Sequence, residues 1–455
     1  MSHTIAAIST PAAPAGIGVI RLSGDDAIAI ACRVFRAADP ARSLDRLAGY
    51  TAAYGHVFDT DGDIDDCVAL VFRAPHSYTG EDTVELSCHG GIYLLQRTLR
   101  ACLAAGARPA GAGEFTRRAF VSGKMDLTQA ESVMELIAAD GRLAACAALA
   151  AREGATYRRL QNVKETLLGV AAQFGAFVDY PDEDIPELHT DALADTIREA
   201  INAITALLDT FDAGRVLREG IESVIVGSPN VGKSTLMNCL AGCERSIVTD
   251  IAGTTRDVVE ETVRLGDVTL RLADTAGIRD TDDRVETVGV ALARRRLERA
   301  ALVLAVFDGS RELTDEDKAL ARSVADAAAI AVINKADCDE HTDRAWLEAH
   351  FDRVVTLSAK GGEGIAALTE AVAQVTGVER LNAAEPMLAT ERQRACAARC
   401  LACLNEATDA LALGMTLDAV AVSLDGAIAA ILDLTGERTT EAVVDEVFAR
   451  FCVGK

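Results

Sequence analysis

One stretch decides how the middle of the chain folds: Ser223-Val224-Ile225-Val226-Gly227-Ser228-Pro229-Asn230-Val231-Gly232-Lys233-Ser234. Four β-prone residues precede the pattern G-x-x-x-x-G-K-[ST], whose glycines let backbone N–H groups curl around phosphates. Lys233 can reach the β- and γ-phosphate oxygens of a nucleotide, and the Ser234 hydroxyl can ligate Mg²⁺. Because a helical pattern starts at Lys233, the stretch predicts a strand, a phosphate-binding loop and a helix, in that order.

Apolar runs typical of buried strands recur on both sides of this loop. They span residues 223–226, 269–272, 302–306, 330–333 and 354–357. Helical stretches separate them, and strands that are apolar on both faces are typical of a parallel sheet covered on each side. Residues 219–380 are therefore predicted to form an α/β domain.

Two further motifs follow the later strands of this domain. The first is Asn334-Lys335-Ala336-Asp337, and the second is Ser358-Ala359-Lys360. A carboxylate at Asp337 can accept two hydrogen bonds from the N1 and N2 edge of guanine, a donor pair that adenine lacks. The second motif would close the pocket around the base from the last loop. The domain is therefore predicted to bind GTP.

A third motif, Asp274-Thr275-Ala276-Gly277, follows the run at 269–272. Asp274 can hold the Mg²⁺ coordination shell, and the Gly277 N–H can sense the γ-phosphate. Ras-like enzymes orient the attacking water with a Gln after this turn, but Ile278 occupies that place here and cannot hydrogen-bond to water. Either hydrolysis is then slow, or another group positions the attacking water.

The chain on either side of this domain shows two other kinds of pattern. Residues 1–122 alternate short β-rich runs, such as 17–22 and 66–72, with helical stretches such as 92–105, which predicts an α+β domain. Residues 123–218 and 381–455 are rich in Ala, Leu, Glu and Arg, which predicts long helices. We therefore expect a multidomain α/β protein: an α+β domain, then a helical domain into which a P-loop GTPase domain is inserted.

Composition narrows the class of protein further. The 455 residues carry a net charge of −24, which argues against generic adhesion to nucleic acid but leaves a specific RNA substrate possible. No apolar run reaches the about 18 residues that span a bilayer, so no membrane association is expected. No secretory signal is recognisable, so the 12 cysteines are expected to be reduced thiols in a cytoplasm.

The segment between the phosphate loop and Asp274 reads Thr249-Asp250-Ile251-Ala252-Gly253-Thr254-Thr255-Arg256-Asp257. With Ile278 and the helical flanks, it resembles the TrmE/Era group of GTPases. The last residues, Phe451-Cys452-Val453-Gly454-Lys455, are similar to the terminal Cys-x-Gly-Lys signature of one family in that group, the tRNA modification GTPases called MnmE or TrmE. The resemblance covers nearly the whole chain, through further motifs at 17–24, 78–82, 89–91, 113–116, 124–131 and 181–185.

The resemblance implies a cytoplasmic enzyme that forms a homodimer through its N-terminal domain. It would work with the FAD-binding protein MnmG (GidA), in a heterotetramer, on tRNA. Together the two proteins would install a carboxymethylaminomethyl or aminomethyl group on C5 of the wobble uridine, position 34. The one-carbon unit would come from 5-formyl- or methylene-tetrahydrofolate, which binds the N-terminal domain.

For the nucleotide site, the resemblance implies hydrolysis when two GTPase domains meet across a bound K⁺, without an arginine finger. The expected K⁺ ligands are the Asn230 side chain and the backbone carbonyls of Thr249, Ile251 and Thr254. Thr255 would complete the Mg²⁺ shell with Ser234. Glu286 matches the family glutamate that orients the attacking water; a solvated carboxylate at a helix start is the alternative. The residues expected to contact GTP are Asn230, Val231, Gly232, Lys233, Ser234, Thr235, Thr249, Asp250, Ile251, Ala252, Gly253, Thr254, Thr255, Asp274, Thr275, Ala276, Gly277, Asn334, Lys335, Asp337, Ser358, Ala359 and Lys360.

Four residues match the family's folate-binding positions: Arg21, Glu85, Lys124 and Lys455. A carboxylate suits the N–H edge of a pterin, and basic groups suit a glutamyl tail. Taken alone, each is better explained as a surface charge. The family usually has Pro-Gly-Glu-Phe where this chain has Ala112-Gly113-Glu114-Phe115.

Cysteines supply two more hypotheses. The resemblance implies that Cys452 is required for modification, with a nucleophilic or acid–base role; an inert terminal thiol is the alternative. Cys396, Cys400 and Cys403 have the C-x-x-x-C-x-x-C spacing of a radical-enzyme iron–sulfur cluster. They fall in a helical stretch, where i, i+4 and i+7 mark one face, so packing is the favoured interpretation.

The competing hypothesis is an Era-like GTPase, a ribosome-assembly switch that binds RNA without covalent chemistry. Such proteins usually carry a KH-type RNA module, with a G-x-x-G loop in a basic setting, after the GTPase domain. Here the residues after 380 predict helices and end in Cys-Val-Gly-Lys. The tRNA-modifying enzyme is therefore favoured.

Overall fold

This computed structural model describes residues 3–179, 190–243, 260–273, 300–324 and 327–455. Its internal contacts divide the chain into two compact units. The first contains residues 1–134, 157–201 and 396–455, and the second contains 135–156 and 202–395. Helical segments from both sides of the predicted GTPase domain belong to the first unit. The predicted insertion of that domain into a helical one is therefore confirmed.

A seven-stranded sheet forms the N-terminal part of the first unit. Its strands are β1 (Ile5–Ile8), β2 (Ala15–Ser23), β3 (Phe35–Ala37), β4 (Thr51–Asp59), β5 (Gly62–Phe72), β6 (Thr83–Gly90) and β7 (Arg108–Pro109), with helices α1 (Ala27–Val34) and α2 (Ile92–Ala104). Their order is β3-β4-β5-β6-β2-β1-β7, antiparallel except for the β1–β7 pair. The predicted α+β domain is confirmed.

The two faces of this sheet have different surroundings. Successive side chains of a strand alternate between faces, so in β5 Cys67, Ala69 and Val71 are buried in the core formed with α1 and α2. The other face carries exposed apolar side chains on β2, β4 and β5. They are Ile17, Tyr54 and Val68.

Helices follow the sheet from residue 114 onward, whereas the sequence predicted long helices from residue 123. They are α3 (Glu114–Val121), α4 (Leu127–Ala138), α5 (Arg142–Arg152), α6 (Ala155–Asp179), α7 (Thr190–Asp209) and α8 (Phe211–Glu219). Within the described ranges, no helix of the protein is both long and apolar enough to cross a membrane.

A six-stranded sheet forms the centre of the second unit. Its elements are β8 (Ile221–Val226), α9 (Lys233–Cys243), β9 (Glu260–Leu265), β10 (Val268–Ala273), β11 (Leu302–Asp308), α10 (Asp315–Ser323), β12 (Ala329–Asn334), α11 (Arg344–Glu348), β13 (Val354–Thr356) and α12 (Ile365–Val375). The order is β13-β12-β11-β8-β10-β9, and only β9 pairs antiparallel. Strand β9 was not predicted, although Gly266-Asp267 between alternating runs is a hairpin signal.

Both faces of this sheet are buried, as predicted. In β11, Leu302, Leu304 and Val306 enter one apolar cluster, while the alternate residues Val303, Ala305 and Phe307 enter another. Every residue of β11 and β12 is buried. This pattern is the one expected when helices cover each side of a parallel sheet.

β8 lies between β10 and β11, so the chain first builds the sheet on one side of β8 and then on the other. In open α/β sheets, ligands bind beyond the carboxyl ends of the strands at such a reversal. The loops after β8, β11 and β12 all leave from that edge. They carry Gly227, Gly309 and Lys335 respectively.

Three helices end the chain: α13 (Glu391–Ala412), α14 (Leu417–Thr435) and α15 (Glu441–Ala449). In α14 the buried residues Val420, Leu424, Ala427 and Ile431 recur at helical spacing and form one apolar stripe. Val444 and Phe448 of α15 pack with Ala119 of α3 in one cluster. This packing brings the C-terminal residues to the N-terminal domain.

Candidate nucleotide and folate sites

The phosphate loop connects β8 to α9, as predicted, and two of its glycines are sterically required. A Cβ on Gly227 would lie 2.5 Å from the Val306 oxygen of β11. Gly232 has φ +97°, and a Cβ there would lie 2.3 Å from the side-chain nitrogen of Asn334. Because neither neighbour is a flexible side-chain end on the surface, only glycine fits these positions.

Lys233 opens α9, and its ammonium points back into the loop. Nζ donates to the carbonyl oxygens of Gly227, at 2.7 Å, and Ser228, at 2.9 Å. Burial lowers the pKa of this ammonium. Among the described residues no carboxylate pairs with it, so an anion beside it would be stabilised. Ser234 and Thr235 follow in the first turn of α9 and are exposed.

The base-reading residues converge on Asp337. The Ser358 hydroxyl donates to Asp337 Oδ1 at 2.8 Å, and this hydrogen bond lowers the pKa of the carboxyl. The Gly361 N–H in turn donates to Ser358 Oγ at 3.2 Å, which fixes the hydroxyl. Lys360 is exposed beside them. The pocket therefore presents an ionised acceptor, which is what the guanine N1 and N2 edge requires.

Asn334 holds this pocket and the phosphate loop together. Its side chain is 3% exposed; Nδ2 donates to Val231 O at 2.9 Å, and Oδ1 accepts from Ala359 N at 3.0 Å. Lys335, next in the chain, has φ 68°, a left-handed conformation uncommon for a residue with a Cβ. One amide side chain thus connects three loops that the sequence assigned to separate motifs.

Asp308, at the end of β11, belongs to this site but was not predicted from the sequence. Its Oδ2 accepts from Lys335 Nζ at 2.6 Å, and its Oδ1 accepts from the backbone and hydroxyl of Ser310. Burial opposes ionisation, but the hydrogen bonds from Lys335 and Ser310 outweigh it and lower the pKa of Asp308. The sequence did offer a signal for Asp308: it ends a buried apolar run, as Asn334 does, and ligands bind at the carboxyl ends of such strands.

In the N-terminal sheet, Arg21 and Glu85 stand directly opposite each other on β2 and β6. Arg21 Nε donates to Glu85 Oε1 at 2.9 Å, and Nη2 lies 2.8 Å from the same oxygen. The guanidinium carbon lies 5.8 Å and 5.6 Å from the ring centres of Tyr78 and Phe115. The structure therefore pairs two of the four predicted folate residues in a partly buried, aromatic-lined setting.

The C-terminal residues reach the same place. Gly454 O lies 3.5 Å from Arg21 Nη1, and Cys452 O accepts from Gly113 N at 3.3 Å. The backbone oxygen of Lys455 accepts from the backbone N–H of Phe115 at 3.2 Å. Gly454 has φ +100°, and a Cβ there would lie 2.6 Å from a backbone oxygen of β1. The tail is thus fixed by its backbone, while Cys452 is exposed.

Lys124 is placed differently from the other predicted folate residues. Its Nζ donates to Pro75 O at 2.9 Å. Within the part of the chain that the structure describes, it forms no hydrogen bond or ion pair with Arg21 or Glu85. It borders a cavity of about 440 Å³ whose polar lining includes Asp126, Gln129, Tyr157, Thr435 and Glu437. Its role in folate binding stays a prediction.

Two family models match the chain. The model of the MnmE helical domain matches residues 127–452. The model of the GTP-binding protein TrmE N-terminus matches residues 4–124.

The chain belongs to the MnmE family.

Relatives named tRNA modification GTPase MnmE align from end to end. The protein of Symbiobacterium thermophilum is 42% identical over 100% of this chain and 99% of its own. Those of Heliobacterium modesticaldum and Latilactobacillus sakei are both 40% identical, over 100% and 99% of this chain and 100% and 98% of their own. A solved structure of an Aquifex aeolicus Era variant bound to GDP and AlF₄⁻ is 28% identical over 34% of this chain and 56% of its own, with a TM-score of 0.27.

Several residues predicted for the MnmE nucleotide site lie outside the described residues. They are Thr249, Asp250, Ile251, Ala252, Gly253, Thr254, Thr255, Asp274, Thr275, Ala276, Gly277 and Glu286. Ile278, in the place of the Ras-like Gln, lies there too. Their assignments to Mg²⁺, K⁺ and the attacking water stay predictions.

The three cysteines with cluster-like spacing lie on α13, so the helix predicted for them is confirmed. Burial raises the pKa of Cys400 to about 12. A Cβ on Gly426 of α14 would lie 3.0 Å from Cys403 Sγ, which shows how closely the two helices pack there. A protonated, packed thiol is a poor iron ligand, so Cys400 serves the core of the MnmE helical domain, and packing stays the favoured interpretation for Cys396 and Cys403.

Proposed function

We propose that the GTPase activity of this chain, which serves tRNA modification as in the MnmE family, depends on K⁺ and operates with an FAD-binding partner of the MnmG type. The reaction would form 5-carboxymethylaminomethyl- or 5-aminomethyluridine at position 34, in the cytoplasm. The carbon would come from a tetrahydrofolate derivative. One observation above all supports GTP binding. The Asn334 side chain connects the phosphate loop to the pocket in which the ionised Asp337 carboxylate can accept hydrogen bonds from guanine.

Binding of GTP follows from groups at the carboxyl edge of the six-stranded sheet. The exposed start of α9 offers backbone N–H groups and the positive end of the helix dipole to phosphates. Lys233 adds a cation whose described partners are two neutral carbonyl oxygens. Asp337 selects guanine, because its carboxylate accepts from N1 and N2 while Ser358 holds it in place.

Hydrolysis needs a metal and an oriented water. Mg²⁺, when bound, neutralises charge on the phosphates, and the exposed Ser234 hydroxyl suits it as a hard oxygen ligand, with Thr255 as the second. K⁺ would stabilise charge developing between the β- and γ-phosphates. Asn230, exposed and at φ 65°, is its proposed side-chain ligand. Glu286 is the proposed group that orients the water.

Modification would use the first unit. Arg21 and Glu85 form a polar pair, and the Arg21 guanidinium lies beside two aromatic rings, an environment that fits a flat heterocycle with hydrogen-bonding edges. The Cys452–Lys455 tail ends beside this pair, so the exposed Cys452 thiol is the proposed reactive group. The folate would supply a one-carbon unit at this place. Lys124 and Lys455 are the proposed partners of its glutamyl tail.

A homodimer is the proposed assembly. Ile17, Tyr54 and Val68, on the face of the N-terminal sheet that α1 and α2 do not cover, are 65%, 55% and 44% exposed. Exposed apolar side chains that share one face of a sheet are typical of a protein interface. The same face carries the Arg21–Glu85 pair, so dimerisation would enclose the proposed folate site.

The Era-like alternative predicts an RNA module and no covalent chemistry. Residues 391–449 instead form three helices within the match to the MnmE helical domain. One experiment separates the two hypotheses. Nucleoside mass spectrometry of tRNA from cells lacking the protein should show loss of the modified wobble uridine, restored by the wild-type gene. Unchanged wobble uridines with a ribosome-assembly defect would favour the alternative.

A further inference from the structure

A buried carboxylate outside the predicted motifs contacts the phosphate loop. Asp317, in the first turn of α10, is 1% exposed. Its Oδ1 accepts from the Ser228 hydroxyl at 2.6 Å. Its Oδ2 accepts from Arg311 at 2.8 Å and from the backbone and hydroxyl of Thr314 at 3.0 and 2.9 Å. Burial opposes ionisation, but these donors outweigh it and lower the pKa of Asp317.

Ser228 is held from two sides. Its hydroxyl donates to Asp317, while its carbonyl oxygen accepts from Lys233 Nζ at 2.9 Å. The next residue, Pro229, has no N–H, so the loop backbone cannot anchor itself there, and the proline also restricts the conformation of Ser228. The Ser228 hydroxyl therefore fixes the first half of the phosphate loop together with the Lys233 ammonium, and it connects this half to α10.

Asp317, which accepts the hydrogen bond from Ser228, is itself held in place by other contacts. Thr314 and Asp317 form a reciprocal capping box at the start of α10. Arg311 continues the network, because its Nε lies 3.9 Å from Asp308 Oδ2, the oxygen that accepts from Lys335. Asp317 is thus tied both to its own helix and to the base-reading side of the site.

We propose that Asp317 is a positioning residue of this GTPase. Through the Ser228 hydroxyl it sets the phosphate loop, and with it the partner carbonyl of Lys233, in the geometry that receives the β-phosphate. The inference rests on the proposed function and deepens it, since it adds a residue outside the nucleotide motifs. Its consequence is specific: losing the Ser228 hydroxyl weakens recognition of the β-phosphate and spares recognition of guanine, because the contacts of Asp317 and Asp308 with Arg311 stay in place.

The test compares GDP with GMP, by competition against a fluorescent GDP analogue on the full chain. Ser228→Ala should weaken GDP binding about tenfold, the scale of one charge-assisted hydrogen bond. GMP, which lacks the β-phosphate, should change less than about twofold, because the base pocket is untouched. Ser228→Thr keeps a hydroxyl and should restore GDP binding. The matched control is Asp315→Ala, an exposed acid in the same helical turn, which should leave both affinities unchanged.

A double-mutant cycle separates positioning from general support. If Asp317 acts through Ser228, then Asp317→Ala combined with Ser228→Ala should bind GDP no more weakly than the worse single variant. Equal losses for GDP and GMP in Ser228→Ala, or no loss at all, would overturn the inference. If Asp317→Ala does not fold, the Ser228→Ala and Ser228→Thr pair decides alone. A wild-type chain that binds no GDP would instead overturn the proposed function.

Discussion

The side-chain nitrogen of Asn334 lies 2.9 Å from the backbone oxygen of Val231, so the residue that begins the guanine motif also holds the phosphate loop. The other end of the same amide accepts from Ala359 N. Because the side chain is almost fully buried, both hydrogen bonds are shielded from water and costly to lose. Recognition of the base and of the phosphates therefore depends on one connected set of contacts.

Gly232→Ala should disable nucleotide binding. The added Cβ would meet the Asn334 nitrogen at 2.3 Å, in a backbone conformation (φ +97°) that alanine rarely adopts. We expect a loss of about 1–3 kcal/mol in stability from the strained backbone and a GDP affinity too weak to measure. Gly242→Ala, in α9, where no atom of the described residues lies within 4 Å of the added Cβ, should instead stabilise by about 0.5–1 kcal/mol. Calorimetry of both variants checks this, and normal GDP affinity in Gly232→Ala would contradict it.

Asp337→Asn should change the base preference of the nucleotide site from guanine to xanthine. An amide at this position replaces one acceptor oxygen with a donor, which opposes the guanine N2 amine and suits the xanthine 2-carbonyl. GTP affinity should fall by about 100-fold or more, because the polar contacts between residue 337 and the guanine edge become mismatched, while XTP affinity rises. Turnover measured with each nucleotide is the readout. Retained preference for GTP would show that Asp337 does not read the base.

Asp308→Asn should destabilise the GTPase part of the chain in a pH-dependent way. The pKa of Asp308 is lowered in the fold, so its contribution is present above its ordinary pKa of 3.8 and disappears as pH falls through the lower folded value. At pH 7 the variant should lose about 1.5–3 kcal/mol, the value of a hydrogen bond to a charged group. Urea unfolding at pH 7 and pH 3 tests this against Asp339→Asn, an exposed control. A difference as large at pH 3 as at pH 7 would argue against ionisation as the cause.

Glu286→Ala should keep nucleotide binding and lose hydrolysis. If this carboxylate orients the attacking water, turnover should fall by about 10²-fold or more while GDP affinity stays unchanged. The wild-type chain should turn over GTP strongly faster in K⁺ than in Na⁺ at equal ionic strength. Normal turnover in the variant would remove the role of Glu286, and equal rates in the two salts would remove the K⁺ assignment.

Cys452→Ser should separate GTP hydrolysis from tRNA modification. Hydrolysis of GTP should continue at the wild-type rate, because the nucleotide residues lie elsewhere in the chain, while the modified uridine should disappear from tRNA. Cys338→Ser is the matched control, since that thiol is also exposed and lies in the GTPase part. Modified uridine at normal levels in Cys452→Ser cells would leave Cys452 without a catalytic role.

Local patterns predicted most of the elements that frame the site. The runs at 223–226, 302–306 and 330–333 all lie in strands, and the helix predicted from Lys233 is α9. The helical interpretation of Cys396, Cys400 and Cys403 is confirmed for the same reason: helical spacing is a local property of the chain. β9 was missed because its charged, alternating residues suit the edge of a sheet, whereas the buried runs of the other strands were more conspicuous.

The phosphate loop, the guanine motif and the family could all be recognised from the sequence, because each of these is a short, fixed spacing of residue types. Which distant residues meet is visible only in the folded protein. Asp317 reaches Ser228 across 89 positions, and Arg21 reaches Glu85 across 64. Such contacts depend on the order of strands in a sheet and on where a helix begins above it. Side-chain partners of this kind are set by packing, which no local pattern encodes.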